Sequence, residues 1–204
     1  YFKNCFIDGN TDYIFGGGDV LFDACELSYY GYSNTQKGAY ITAAADGSTT
    51  GYIFRNCYVS ANDAWDVAAG YFGRPWRSSA TVAFLNTKLQ TKDTVTAVGW
   101  NSMSGARPED ANYQEYNTTV LGSDAADVSA RTAGTVKNEN PYADIVQTFK
   151  GWQPFYFVQE TDTAVTVKDI AIEGELKTGS VLKALYTLSG NEKADASVLE
   201  WYRI

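Results

Sequence analysis

The 204-residue sequence contains no histidine. That absence removes Ser-His-Asp and Cys-His catalytic arrangements and histidine-rich zinc centres. Acid–base or nucleophilic chemistry then falls to Asp, Glu, Tyr, Lys or Cys, with Arg as electrostatic support. Cysteine is scarce, and Cys5, Cys25 and Cys57 fit no CxxC metal or redox spacing. No apolar run approaches the length of a membrane span, and helical periodicity is poor throughout. Positive charge is in deficit: 16 Lys and Arg against 24 Asp and Glu give a net charge of −8. This disfavours nucleic acid and anionic membranes as partners, yet a few local cations would still suffice for a polyanionic substrate. No signal peptide is present; the chain opens on the strand-like YFKNCFI, which suggests a piece whose true N-terminus lies upstream.

What is present suffices for a core, with 45% hydrophobic residues and 15% aromatics. Tyr and Trp offer flat apolar faces with polar edges, which suit sugars and sheet cores alike. A weak repeat runs through the first half: FKNCFI from Phe2, FDACEL from Phe22, FRNCYV from Phe54 and FLNTKL from Phe84, with starts 20, 32 and 30 residues apart. Short alternating segments returning at such intervals, with Gly- and Asn-rich turns between them, predict stacked β coils. Equivalent positions in a parallel stack lie roughly 4.8 Å apart, so the three cysteines read as an interior ladder of small groups. A disulfide between two of them is the alternative, and would leave an odd thiol. Composition breaks after GWQPFYFV, giving an expected first domain of 1–158, a linker at 159–164 and a small β module at 165–204.

Three motifs, the last in two blocks, then carry a family resemblance. GNTDYIFG (Gly9–Gly16) resembles the G-x-V-D-F-I-F-G signature of the pectin methylesterases, carbohydrate esterases that remove methyl groups from pectin. YFGRPWR (Tyr71–Arg77) resembles their L-G-R-P-W block. VGW…YQEYN (Val98–Asn117) and FKGWQPF (Phe149–Phe155) resemble the two closing blocks, and all occur in family order. The resemblance implies an all-β chain, a right-handed parallel β-helix, which agrees with the repeat. It implies Asp12 as nucleophile, Arg74 as the cation contacting it, and Trp76 as a ring packed against the sugar. Trp100 and Phe15 become further groove aromatics. Thr11 stands beside Asp12 where the family usually has Val. No metal or cofactor is implied. The implied partner is pectin (homogalacturonan), met by a monomer that is secreted or at the surface of a bacterial cell.

The chemistry is reasonable in itself. A carboxylate is ionised at neutral pH, and a neighbouring guanidinium favours that form. It can attack an ester carbonyl to give an anhydride that water cleaves, while Arg orients it and leaves an oxygen free. By position alone, Asp12 reads as a turn or strand-end acid, Arg74 as half of a surface ion pair, and Trp76 as a core or rim ring; the motif match moves each to a site. Asp8, Asp19 and Asp23 read as turn or solvent-facing acids, Glu115 as structural, and Asn117-Thr118-Thr119 as a glycosylation sequon by pattern only. The family's Gln-Asp pair, the source of its oxyanion donors and its general acid, precedes the first motif and has no match here. The 204 residues alone are therefore expected to be nearly inactive. A silent β-helix that binds pectic polysaccharide is the main alternative, and a β-helix polysaccharide lyase, which needs an acidic calcium cluster, is a third. The tail pattern Gly174, Gly179-Ser180, Leu182, Ala184, Tyr186 and Trp201-Tyr202-Arg203 resembles the start of an immunoglobulin-like sandwich of the kind appended to extracellular bacterial enzymes, so a partial β-sandwich is expected to follow the helix.

Overall fold

Each copy of the repeat forms two short strands joined at a kinked residue. In the computed structural model, which describes residues 1–31, 39–62, 69–123, 125–149, 166–174 and 183–189, these pairs are β1 (Phe2–Lys3) and β2 (Phe6–Gly9), β4 (Val20–Asp23) and β5 (Glu26–Tyr29), β7 (Tyr52–Arg55) and β8 (Tyr58–Ala61), and β10 (Thr81–Leu85) and β11 (Lys88–Leu89). A fifth pair, β12 (Asn112–Tyr116) and β13 (Thr119–Val120), extends the series. The kink is left-handed in every coil, with φ of 54° at Asn4, 51° at Ala24, 56° at Asn56, 52° at Asn86 and 53° at Asn117. Asn tolerates this region better than most residues because its short side chain bonds locally. Here the side chains also bond along the stack, Asn86 Nδ2 to Asn56 Oδ1 at 3.1 Å and Asn117 Nδ2 to Asn86 Oδ1 at 2.9 Å.

A third strand completes the first three coils: β3 (Thr11–Gly16), β6 (Tyr40–Ala44) and β9 (Tyr71–Gly73). The coils stack into three parallel sheets with orders β1-β4-β7-β10-β12, β13-β11-β8-β5-β2 and β3-β6-β9. The architecture is therefore the expected parallel β-helix. Phe2, Phe22, Phe54 and Phe84 stand in register and stack face to face at centroid spacings of 5.0, 4.5 and 4.4 Å. Such pairs add about 0.5–1.5 kcal/mol each beyond the area they bury.

The cysteines form the predicted ladder. The residues after Cys25 and Cys57 donate their N–H groups to the cysteine carbonyl one coil earlier, Glu26 to Cys5 at 2.8 Å and Tyr58 to Cys25 at 2.9 Å. Thr87 and Thr118 continue the same positions. All three thiols are free; Cys25 and Cys57 are buried, and Cys5 is half-buried. Burial pushes the Cys57 thiol up to about 12, so it stays protonated and unreactive at neutral pH.

Glu115 and Asp23 are ion-paired within this frame. Glu115 occupies the next register position after Phe84 and is 1% exposed. Arg131 Nε donates to its Oε2 at 2.8 Å and Thr118 Oγ1 to its Oε1 at 2.7 Å. Nη1 of Arg131 donates to the carbonyls of Thr96 and Ala97. Glu115 is thus structural, as read from the sequence. Asp23 departs from its reading as a turn or solvent-facing acid: it lies buried in β4, held by Arg55 through Nε–Oδ1 at 3.0 Å and Nη2–Oδ2 at 2.5 Å. Asp19 is a turn acid, accepting from the N–H groups of Thr50 and Gly51.

The chain divides into two compact units, Tyr1–Trp152 and Gln153–Ile204; the break falls six residues before the expected boundary at 158. Within the second unit the described residues form an antiparallel pair, β14 (Thr166–Glu173) and β15 (Lys183–Ser189), with a bulge between Lys168 and Ala171. Ala184 and Tyr186 of the sandwich pattern lie on β15. Gly179, Ser180, Leu182 and Trp201 lie outside the described residues, as does most of FKGWQPF.

Candidate active site

Asp12 is the second residue of β3, ahead of the apolar run Tyr13-Ile14-Phe15, and the register explains how an acid fits there. Thr11 pairs with Tyr40 and Ile14 with Thr42, so Asp12 and Tyr13 together oppose Ile41. This is a β-bulge, and Asp12 is its left-handed residue with φ of 52°. One extra residue breaks the in–out alternation and re-aims a side chain that would otherwise have followed the strand's period. The preceding Gly9 is fixed by the same geometry. A Cβ there would lie 2.5 Å from Cβ of Tyr13, the ring that turns inward beside the bulge.

Arg74 arrives from the coil stack, 62 positions along the chain. Its N–H donates to Thr42 O at 3.0 Å, and that of Trp76 to Ala44 O at 3.0 Å. Pro75, which has no N–H, falls on the alternate position where this neighbour requires none. Gly73 lets the two strands close: a Cβ would collide with Oγ1 and the carbonyl oxygen of Thr42, whose hydroxyl donates to Phe72 O at 2.9 Å.

The guanidinium then meets Asp12 side on. Nε donates to Oδ1 at 2.9 Å and Nη2 to Oδ2 at 2.6 Å, with the two side chains 22% and 18% exposed. Both carboxylate oxygens are engaged, where one had been expected to stay free. Each oxygen still keeps a second lone-pair site. The Arg74 Cζ lies 4.0 Å above the Tyr40 ring.

Beside this pair is a cleft of about 360 Å³ lined by Thr11, Asp12, Phe15, Ala43, Trp76 and Met103. Phe15 and Trp76 are 68% and 38% exposed and meet edge to face at 6.3 Å and 67°. Five of the six predicted site residues, Thr11, Asp12, Phe15, Arg74 and Trp76, therefore converge. Trp100 does not. It is 2% exposed, stacked on Tyr113 at 4.3 Å and packed on Phe72 and Phe84 at 5.5 and 5.9 Å. It bridges to Gly73 through the backbone and turns its ring into the coil interior, so it is a core residue and not a groove aromatic.

Met103 was missed. It starts a two-residue hairpin in which Met103 and Ala106 exchange N–H···O bonds of 3.0 and 2.9 Å. Ser104 and Gly105 have φ of 51° and 89°, the pattern of a type I′ turn. The Ser-Gly pair directly after the sole methionine was the available signal. A second cavity, of about 570 Å³, lies against the first coil among Phe2, Phe6, Ile14, Phe22 and Tyr52, and among the described residues no carboxylate or cation lines it.

The pectinesterase family profile matches residues 1–145. A probable pectinesterase A of Neosartorya fischeri is 36% identical over 131 residues, which cover 62% of this chain and 37% of that protein. The crystal structure of the deglycosylated pectin methylesterase from Aspergillus niger is similar with a TM-score of 0.58 at 30% identity, covering 72% of this chain and 46% of that one. The carrot pectin methylesterase shares the fold with a TM-score of 0.55 at 24% identity, covering 67% of this chain and 44% of that one. The chain spans less than two-fifths of the length of the curated relatives it matches.

Proposed function

The chain belongs to the pectinesterase family, and from that premise we propose that the protein hydrolyses methyl esters of pectin, with Asp12 as nucleophile and Arg74 as its support. The observation that carries this reading is the doubly bonded Asp12–Arg74 pair at the edge of a cleft rimmed by two exposed rings. One Oδ of Asp12 attacks the ester carbonyl carbon. The bond to methoxide breaks, methoxide takes a proton and leaves as methanol, and water opens the resulting anhydride to restore Asp12 and free the pectate carboxylate. Arg74 keeps the second oxygen anchored while the first reacts. Phe15 and Trp76 present apolar faces to the sugar rings, and Thr11 lines the wall next to the nucleophile. The product is acidic, so the guanidinium also offsets charge where two carboxylates meet.

Among the described residues, Asp12 is the one acid lining this cleft. The proton for methoxide and the oxyanion donors are therefore assigned to the aspartate and glutamines that the resemblance places ahead of the first motif. Without a positioned acid the rate falls by ~10²–10⁴, and one lost oxyanion donor costs a further ~10²–10³. The losses need not multiply, because such groups act as a unit. The same reading makes the protein an extracellular monomer acting on a polymer, with Gln153–Ile204 as an accessory β module. The second reading, a silent pectin binder, draws on the exposed Phe15–Trp76 pair alone.

The test is methanol release from methylated pectin by the 204-residue chain, by a longer protein carrying preceding coils, and by that protein with Asp12→Asn. The expected order is near-zero, full and near-zero release. Strong turnover by the short chain, or an unaffected Asn variant, removes Asp12 from its role. Binding without release by the longer protein selects the silent binder.

A further inference from the structure

We propose that Tyr40 is a positioning residue for Arg74, its ring serving as the platform that holds the guanidinium against Asp12. This rests on the esterase reading above. Arginine is a long, rotatable side chain, and its two hydrogen bonds to Asp12 act at one edge of the guanidinium. The Tyr40 ring lies against the face. Arg74 Cζ lies 4.0 Å from the ring centroid, well inside the roughly 6 Å range over which a ring attracts a cation.

Tyr40 is itself fixed from two sides. It stacks on Tyr71 at 5.0 Å and 9°, the register neighbour one coil further on. Its hydroxyl accepts from Asn101 Nδ2 at 3.0 Å. Asn101 in turn donates its backbone N–H to Gly73 O at 3.0 Å, one residue before Arg74. The backbone of Arg74, its guanidinium face and its guanidinium edge are thus each held by a separate group: Thr42 O, the Tyr40 ring and Asp12. Tyr40 is half-buried and does not line the cleft, so it touches Arg74 without meeting the substrate. It pairs in register with Thr11, next to the bulge. The bulge sets where the Asp12 backbone lies, but the direction of its carboxylate depends on the guanidinium, and so on Tyr40.

The first measurement uses the 204-residue chain and the NMR signal of the Arg74 Nε–H. Tyr40→Phe keeps the ring and should keep a slowly exchanging signal, whereas Tyr40→Leu should lose it. In the longer, active protein Tyr40→Leu should lower kcat about tenfold, the scale of a partly desolvated cation–ring contact, with KM within about twofold. Tyr40→Phe should restore most of it. In an Arg74→Gln background Tyr40→Leu should cause no further loss, because a residue acting through Arg74 has nothing left to act on. Should Tyr40→Leu not fold, phenylalanines of increasing fluorination at position 40 keep the shape and drain the ring face of charge, and kcat should fall along that series. An unchanged Nε–H signal and kcat in Tyr40→Leu, an equal loss in the Arg74→Gln background, or a flat fluorination series overturns the proposal. Full activity in Asp12→Asn would instead remove Asp12 as the nucleophile, while the Nε–H result would still decide the role of Tyr40.

Discussion

Replacing Gly73 by alanine perturbs the site without touching a reacting atom. The new methyl would overlap Oγ1 of Thr42 and crowd its carbonyl oxygen. The hydroxyl could rotate away only by giving up its bond to Phe72 O, and the carbonyl is held in place by the N–H of Arg74. Overpacking of this kind costs about 1–3 kcal/mol, and the lost hydrogen bond about 1 kcal/mol. A destabilisation of roughly 2–4 kcal/mol follows. With a urea slope of about 1–3 kcal/mol per molar, the midpoint should fall by on the order of 1–2 M at unchanged slope. Thr42→Ala in the same chain removes the hydroxyl but leaves the carbonyl, so it should recover part of the loss, whereas Thr42→Ser should recover none. Because the strand carrying Arg74 must retreat from its neighbour, the Arg74 Nε–H signal should broaden in Gly73→Ala. A Gly73→Ala variant within about 0.5 kcal/mol of the parent, or equal rescue by Ser and Ala, would refute the close approach.

Three further outcomes follow from the fold. Cys57 keeps its proton up to about 12 when folded, against 9.0 ordinarily; between these values the unfolded chain binds fewer protons, so stability should fall as pH rises, by on the order of 4 kcal/mol in all, and urea midpoints measured across that range should flatten in Cys57→Ala. Arg131→Met leaves Glu115 buried without its cation and should cost about 3–5 kcal/mol, while Glu115→Leu added to it should recover most of that; a cost under about 1 kcal/mol for Arg131→Met in urea denaturation would show the pair to be solvated. Trp76→Ala should weaken retention on a pectin column and leave the urea midpoint nearly unchanged, whereas Trp100→Ala should cost about 3–5 kcal/mol of stability; the reverse pattern would exchange their roles.

Much of the coil stack was legible because a parallel stack repeats chemistry at fixed register. Phe2, Phe22, Phe54 and Phe84 mark one ladder and the cysteines the next. The fifth copy escaped notice because Glu115 fills the phenylalanine slot. Its remaining signal, Asn117-Thr118, looked like a glycosylation sequon, although it repeats the corner Asn86-Thr87 of the coil before. A charged residue fits that slot only because Arg131, 16 positions on, returns to neutralise it. That pairing depends on a loop whose path has no local signature. Asp23 was misread for a related reason: its partner Arg55 is a neighbour only across the register.

The site was legible where the motif fixes backbone and obscure where only side-chain direction matters. Gly9 and Gly73 each answer a steric demand and Pro75 falls where no N–H is required, so their spacing carries Asp12, Arg74 and Trp76 with them. Trp100 meets no such demand. An aromatic ring suits a sugar and a core equally, and the face it takes is set by the strand's orientation to its neighbours. Trp76 follows a proline and turns outward toward Phe15; Trp100 follows Gly99, with φ of 74°, and turns inward onto Tyr113. The two indoles differ in role through the backbone beneath them. The same principle resolves the acid at the head of β3: an aspartate in a regular strand would follow the in–out period, and one extra residue in the register is what turns Asp12 to the guanidinium that holds it.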